Sequence, residues 1–251
     1  MSMKLLEIDI ETAPNVCHTW GLFNQNIGIN QIVAPGFTLC VAAKWVGDKK
    51  VMFFKHDEPD FLDSVWTLLD EADAVIHYNG RNFDMPILNK EFVEKDMAPP
   101  SPYHQIDLLQ VARKRFRFTS NKLDFVAQFL GLGGKHHHKG HQLWTDCMEG
   151  CSKAWKVMKK YNIQDVLLLE KLYFKLLPWI QSHPNHALYT EDTRPCCPNC
   201  GAFKVVKCGT ETTLTMTYQR YRCGSCATPI RGRTNVVPKY KKPGILTQSK
   251  L

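Results

Sequence analysis

Acidic residues occur at three places from which a folded chain could bring them together. Asp9 and Glu11 end the first predicted strand, and because side chains alternate along a strand, both carboxylates lie on one face. Asp84 follows a short apolar run, at the start of a predicted helix. Tyr161 and Asp165 are four residues apart in a helical segment, so the phenol and the carboxylate share one side of that helix.

Clustered carboxylates are suited to hard divalent cations such as Mg²⁺ and Mn²⁺, which prefer oxygen ligands. Each acid alone has an ordinary alternative, because acids also end strands, cap helices or face solvent. The order and setting of the set, however, predict a cation-binding face.

Four of the ten cysteines form two Cys-x-x-Cys pairs with 22 residues between them. They are Cys197, Cys200, Cys223 and Cys226. Such pairs supply the four thiolates of a tetrahedral zinc site, whereas Cys196 and Cys208, the alternative ligands, lack this spacing. A segment of about forty residues buries too little core to fold alone, so we expect one structural Zn²⁺ to supply its folding energy.

The segments that carry these residues predict an α/β domain with a mixed sheet. Strands, the first three as a meander, are predicted over 4–10, 37–46, 50–55, 74–78 and 103–106. Helices are predicted over 61–69, 83–95, around 113–117 and over 121–130, and one or two helices are predicted over 153–177. Two further strands, 204–206 and 214–222, are predicted between and beside the cysteine pairs. We expect the stretch 15–35 to be a long loop.

The net charge of +8 is concentrated at the C-terminal end. From Arg194 onward there are 11 Lys and Arg residues against Glu211 alone, so this part carries +10 and the preceding residues carry −2. A basic segment indicates a polyanionic partner, and a merely solvated tail is the alternative. No apolar run is long enough for a signal peptide or a membrane span, so we expect a cytoplasmic protein without a membrane partner.

The order of the acidic motifs resembles a known enzyme superfamily. Asp9-x-Glu11, Asn79 with Asp84, and Tyr161-x-x-x-Asp165 are similar to the three motifs of the DEDD exonucleases, the DnaQ-like enzymes with a ribonuclease-H-like fold. Tyrosine four residues before the last aspartate is typical of the DEDDy branch. The segment 130–135 with Leu143-Trp144 resembles a subgroup common among bacteriophage exonucleases related to proofreading domains of family B polymerases.

This resemblance implies 3′→5′ exonuclease activity with two Mg²⁺ or Mn²⁺ ions. Asp9 would bridge both ions, Glu11 and Asp165 would complete the site of the attacking water, and Asp84 would support the second ion, partly through water. Tyr161 would orient that water. Two ions about 3.5–4 Å apart are suited to phosphodiester hydrolysis.

Four residues near the motifs are candidate substrate contacts. The backbone amide of Thr12 could hold the terminal 3′-hydroxyl, and Asn79 matches an asparagine that helps hold the primer strand in similar enzymes, although it could simply form a turn. Trp20 and Phe23 could stack on terminal bases, but we favour core positions for both. Asp107 is better interpreted as a helix cap than as part of the site.

Three consecutive histidines, His136 to His138, lie in a glycine-bounded loop followed by His141. Adjacent histidines cannot all face one ion, so we interpret the segment as a solvated loop rather than a metal site.

The predicted organisation is an exonuclease domain over 1–183, a linker over 184–193, a zinc ribbon over 194–233 and a basic tail over 234–251. The predicted function is removal of nucleoside monophosphates from 3′ ends of single-stranded DNA. An RNA-trimming enzyme and an inactive nucleic-acid tethering protein are the alternatives. No polymerase domain fits in this length, so a replication or recombination partner would act in trans.

Overall fold

The computed structural model of the chain describes residues 3–134 and 140–249. The histidines His136 to His138 therefore lie outside the described residues. The chain divides into two compact units, one formed by Lys4–Tyr173 and the other mainly by the chain from Phe174 onward.

The first unit contains a mixed sheet. In the described residues its strand order is β5-β4-β1-β6-β7. The central strand β1 pairs antiparallel with β4 and parallel with β6. The strands β1 to β7 are Leu5–Thr12, Val16–Cys17, Ile32–Ala34, Thr38–Trp45, Met52–Lys55, Ala74–His77 and His104–Asp107. The predicted meander at one side of a mixed sheet is thus confirmed, with β5, β4 and β1 as consecutive antiparallel neighbours.

Helices flank this sheet. The helices α1 to α6 are Phe61–Glu71, Asp84–Glu94, Leu108–Arg115, Leu123–Phe129, Gln142–Met148 and Ser152–Leu176. Two details differ from the sequence prediction: α5 was not predicted, and Arg117 lies beyond the end of α3. The predicted long loop at 15–35 contains the short antiparallel pair β2 and β3.

Alternation along β1 explains where the core and the acids lie. Leu6, Ile8 and Ile10 are buried in one apolar cluster together with residues of α1 and α2. The intervening positions, Glu7, Asp9 and Glu11, project from the other face of the strand, because successive side chains point to opposite faces. The acidic positions of β1 therefore face the side of the sheet on which α6 lies.

A second apolar cluster fixes α5 and α6. Leu143 and Cys147 of α5 are buried with Met158 and Tyr161 of α6 and with Leu39 of β4. The indole N–H of Trp155 also donates to the carbonyl oxygen of Cys147 at 3.0 Å, which ties the two helices together. None of the helices in the described residues combines the length and apolar character needed to cross a membrane.

The second unit contains a three-stranded antiparallel sheet in its described part, with the order β10-β9-β8. Its strands β8 to β10 are Val205–Thr212, Thr217–Cys223 and Pro229–Asn235. The first two match the predicted pair, whereas β10 was not predicted. Asn199 lies in the turn between Cys197 and Cys200. Its side-chain amide anchors this turn, because it donates to the carbonyl oxygens of Leu177 and Ile180 at 2.8 and 2.9 Å.

Candidate active site

Three carboxylates from β1 and α6 come together in one cluster. Asp9, Glu11 and Asp165 each contribute an oxygen, and these oxygens all lie within 4.8 Å of one another. The two-residue spacing on β1 and the position of Asp165 on α6 produce this convergence. An all-oxygen, anionic donor set fits a hard divalent cation such as Mg²⁺ or Mn²⁺.

Asp84 lies against the same strand but outside this cluster of three. It begins α2 and is buried, and its Oδ1 accepts a hydrogen bond from the backbone N–H of Ile10 at 3.1 Å. Burial raises the pKa of Asp84 to about 6, hydrogen bonds from the backbone of Ile10 and of Asp84 itself oppose this rise, and the negative charge of Asp107 adds to it. Asp84 is thus fixed on the backbone between Asp9 and Glu11.

Asn162 holds Asp9, although the sequence analysis did not select it. Its side chain is fully buried, and Nδ2 donates to Oδ2 of Asp9 at 2.8 Å and to the carbonyl oxygen of Asp9 at 3.2 Å. A sequence signal exists, because Asn162 is three residues before Asp165 and therefore shares its face of the helix. Asn162 fixes the side chain of Asp9 to the backbone that carries it.

Trp144 holds Glu11 and packs against Tyr161. Its indole Nε1 donates to Oε2 of Glu11 at 3.1 Å. Its ring meets the buried ring of Tyr161 edge to face, with centroids 6.0 Å apart and an interplanar angle of 73°. Trp144 therefore supports the ring of Tyr161 and also holds Glu11, an acid of the cluster.

A family model of the RNase H superfamily matches residues 33–177, which include Asp84, Tyr161 and Asp165. The chain belongs to the RNase H superfamily. The matched region begins after β1, the strand that carries Asp9 and Glu11. Membership of this superfamily supports a nuclease function of general type.

A solved structure of similar fold is the family B DNA polymerase from the hyperthermophilic archaeon Pyrobaculum calidifontis. The two are 17% identical with a TM-score of 0.54, over 70% of this chain and 25% of the polymerase. The chain thus spans about a quarter of the polymerase's length, and at this identity the likeness shows the fold. No curated protein matches the chain.

A turn beside the site of this RNase H-like unit orients Asn79. Asn79 has φ of 72°, a left-handed conformation that asparagine tolerates better than most residues. Its backbone N–H donates to Oδ1 of Asp107 at 3.0 Å, and the same oxygen accepts from Leu109 N at 3.0 Å. The predicted helix cap at Asp107 is thus confirmed, and the same oxygen also holds the turn at Asn79.

His77 braces this turn from inside the sheet. Its Nδ1 accepts the backbone N–H of Gly80 at 3.0 Å, which leaves Nε2 to donate to the side-chain oxygen of Gln105 at 3.2 Å. Burial lowers the pKa of His77, so the neutral ring that this pattern requires is the stable form. A Cβ at position 80 would lie 2.5 Å from the ring of His77, and this close approach requires glycine.

Open space adjoins two of the candidate substrate contacts. A groove of about 590 Å³ is lined by Asp9, Asn79, Arg113 and Lys122 among others. Thr12, at a bulge of β1 directly after Glu11, lines a smaller pocket of about 290 Å³. The groove therefore joins an acid of the cluster to two basic side chains.

The prediction of core positions for Trp20 and Phe23 is wrong. Their exposed fractions are 99% and 82%. They lie in the segment between β2 and β3, where the backbone N–H of His18 donates to the carbonyl oxygen of Gln31 at 2.9 Å. Neither ring therefore belongs to the apolar core.

Four of the six cysteines of the second unit, the two Cys-x-x-Cys pairs, form one cluster with sulfur atoms within 4.8 Å of one another. Sγ of Cys197 lies 3.6 Å from that of Cys226, and Cys200 and Cys223 are separated by the same distance. A tetrahedral site with Zn–S bonds of about 2.3 Å separates its sulfurs by about 3.8 Å, so the donor set fits zinc.

The thiols of this cluster differ in their readiness to ionise. Burial raises the pKa of Cys197 to about 11. Burial would also raise the pKa of Cys223, but backbone N–H groups of Cys226 and Ser225 lower it to about 7. The nitrogens of Cys226 and Ser225 lie 3.4 and 3.3 Å from Sγ of Cys223, so the backbone of the turn between Cys223 and Cys226 favours a thiolate at Cys223.

Proposed function

We propose that the chain is a metal-dependent exonuclease of the DEDDy type that removes nucleotides from the 3′ end of single-stranded DNA. The observation that carries this proposal is the convergence of Asp9, Glu11 and Asp165, with Asp84 held on the same strand. Membership of the RNase H superfamily supports nuclease chemistry. The direction of digestion and the bacteriophage affinity come from the resemblance of the motifs.

The proposed reaction is hydrolysis of the terminal phosphodiester. The oxygen of a water molecule forms a new bond to phosphorus, the bond from phosphorus to the 3′-oxygen of the preceding nucleotide breaks, and that oxygen takes up a proton. The products are a nucleoside monophosphate and a strand shortened by one nucleotide. Two bound Mg²⁺ or Mn²⁺ ions would activate the water and offset charge on the phosphate oxygens.

The residues of the chain would bind and orient the reacting groups. Asp9, Glu11 and Asp165 would ligate the ions, with Asp84 supporting the second. The phenol of Tyr161, on the same helix as Asp165, would hold the attacking water by a hydrogen bond.

Strand binding would use the spaces beside the acids. The backbone amide of Thr12 and the side chain of Asn79 would hold the terminal nucleotide. The exposed rings of Trp20 and Phe23 would stack on bases, a contact that tolerates any sequence.

We propose that the second unit is a zinc ribbon that binds the nucleic-acid backbone. One structural Zn²⁺ would be held by its four clustered cysteines. On its sheet, Arg220 of β9 stands directly opposite Arg231 of β10. Like charges in this position destabilise a strand pair, and a bound phosphate would relieve the repulsion. Glu211 pairs with Arg231 at 3.0 Å, whereas Arg220 has no ion pair within the described part of the chain and would contact the phosphate.

The deciding experiment follows a 5′-labelled and a 3′-labelled single strand of DNA, and an RNA of the same sequence, with Mg²⁺ or Mn²⁺. We expect shortening from the 3′ end that disappears in Asp9→Ala. If the RNA is digested faster than the DNA, the proposed substrate is RNA rather than DNA. Binding without digestion of either strand would reject the enzyme in favour of a tethering protein, which could serve a replication or recombination partner in trans.

A further inference from the structure

The indole of Trp144 makes two contacts that join separate parts of the proposed site. Its N–H reaches Oε2 of Glu11 on β1, 133 residues earlier in the chain. Its ring packs edge to face with the ring of Tyr161 on α6. One rigid side chain thus spans an acid of the carboxylate cluster and the phenol-bearing residue of the helix.

The support beneath Trp144 is firm. Leu143, the residue before it, is 5% exposed, and Cys147 in the next turn of α5 is 1% exposed. The carbonyl oxygen of Cys147 accepts the indole N–H of Trp155, which lies in α6. The backbone at Trp144 is therefore held by the core that α5 shares with α6.

The choice of hydrogen-bond acceptor separates Trp144 from other tryptophans of the chain. Trp66 and Trp155 donate their indole N–H groups to backbone carbonyl oxygens, those of Ala98 and Cys147. Trp144 donates to a carboxylate, and hydrogen bonds to an ionised acceptor are about twice as strong as neutral ones. The indole of Trp144 is only half-buried, and a backbone carbonyl would also satisfy its N–H, so the carboxylate of Glu11 is not its only available type of acceptor.

We propose that Trp144 is a positioning residue that fixes Glu11 as a metal ligand and keeps the ring of Tyr161 in register with it. This inference rests on the proposed function, because it assumes that Glu11 ligates a divalent ion. Partners that orient metal ligands in this way typically contribute 10-fold to 100-fold to metal affinity or activity.

The test measures Mn²⁺ affinity by calorimetry on the full chain, without substrate. Trp144→Phe removes the N–H but keeps an aromatic ring beside Tyr161, and Trp66→Phe is the matched control that loses an indole bond to a carbonyl. We expect Trp144→Phe to weaken Mn²⁺ binding about 10-fold or more, and Trp66→Phe to leave it unchanged. Trp144→His, which restores a ring N–H, should recover part of the affinity.

A double-mutant cycle with Glu11→Ala separates this inference from the function on which it rests. If Trp144 acts through Glu11, then Trp144→Phe has no further effect on Mn²⁺ affinity once Glu11 is replaced. Wild-type affinity in Trp144→Phe, with weak binding in Glu11→Ala, overturns the inference alone. Wild-type affinity in Glu11→Ala overturns both the metal site and the inference.

Tryptophan emission gives a second readout, which reports the contact of the indole with the site rather than the Mn²⁺ affinity. Mn²⁺ added to the wild-type protein should change its tryptophan emission, because the indole of Trp144 contacts an acid of the site. Trp144→Phe should abolish that change, while Trp66→Phe should retain it. A metal-dependent change that survives in Trp144→Phe contradicts the proposed contact.

Discussion

Glu7 provides a test of how the central strand is buried, because its carboxyl group lies on the acidic face of β1 without the partners that a charge needs. The residue is fully buried, and neither side-chain oxygen has a hydrogen-bond partner among the described residues. Burial and the nearby charge of Glu170 raise its pKa from 4.5 to about 9, although Lys44 opposes the rise. Lys44 is itself paired with Glu170. The folded protein therefore keeps Glu7 protonated at neutral pH.

The consequence is a loss of stability as pH rises. Between pH 4.5 and 9 the unfolded chain releases the proton of Glu7 while the folded chain retains it, so the free energy of unfolding falls across this window. With about 1.36 kcal/mol for each pH unit, the fall attributable to Glu7 between pH 5 and pH 7 is about 2.5 kcal/mol. Glu7→Gln removes the titrating group while keeping its size.

The assay is urea unfolding of the wild type and Glu7→Gln at several pH values, with EDTA present so that metal binding does not contribute. We expect the stability difference between the two proteins to move in favour of Glu7→Gln by about 2.5 kcal/mol from pH 5 to pH 7. Glu191→Gln, at an exposed glutamate, should show no such trend. Parallel pH profiles for the wild type and Glu7→Gln would refute the argument that Glu7 is neutral in the fold.

Three further predictions concern the proposed sites. Mn²⁺ at about a hundred times its Kd should stabilise the wild type by about 2.7 kcal/mol, which corresponds to a rise in Tm of about 5–10 °C. Asp165→Asn should lose most of this rise, and an unchanged Tm in the wild type would contradict a metal site. Tyr161→Phe should lower kcat by about 10-fold or more with little change in Mn²⁺ affinity, because the phenol is proposed to orient water rather than to ligate metal; equal losses in both would assign it a structural role. Replacing Arg220 and Arg233 together by alanine should reduce the slope of log K for single-strand binding against log salt concentration by about 1 to 1.5. Lys49→Ala, a control on the first unit, should leave that slope unchanged.

Features that depend on local spacing could be predicted from the sequence. The convergence of Asp9 and Glu11 follows from a period of two on a strand, and that of Tyr161 and Asp165 follows from a period near four on a helix. The helix cap at Asp107 is also a local feature, because its carboxylate accepts a hydrogen bond from the backbone N–H of Leu109, two residues later. These elements needed no knowledge of the rest of the fold.

Features that depend on distant partners could not be predicted. Asn162 contacts Asp9, which is 153 residues away in the sequence, and Trp144 contacts Glu11, which is 133 residues away. The presence of an asparagine or a tryptophan in a helix does not predict such a distant partner. The prediction for Trp20 failed for the opposite reason: its apolar character suggested a core position, but its side chain is exposed in the segment between β2 and β3. Strand β10 was missed because Pro229 and Gly232 are unfavourable within strands, and pairing with β9 outweighs that preference.

Neutral hydrogen-bond donors hold three of the four carboxylates in place. Clustered acids repel one another, yet Asp84, Asp9 and Glu11 each accept a hydrogen bond from a neutral group, namely Ile10 N–H, Asn162 and Trp144. These donors belong to the sheet, α6 and α5, which are packed by their own apolar clusters. Metal removal should therefore leave the first unit folded with its acids in place. In the second unit only Cys197 and Cys223 are buried among the four cysteines, and the three strands are largely exposed, so the loss of zinc should unfold the cysteine-bearing sheet.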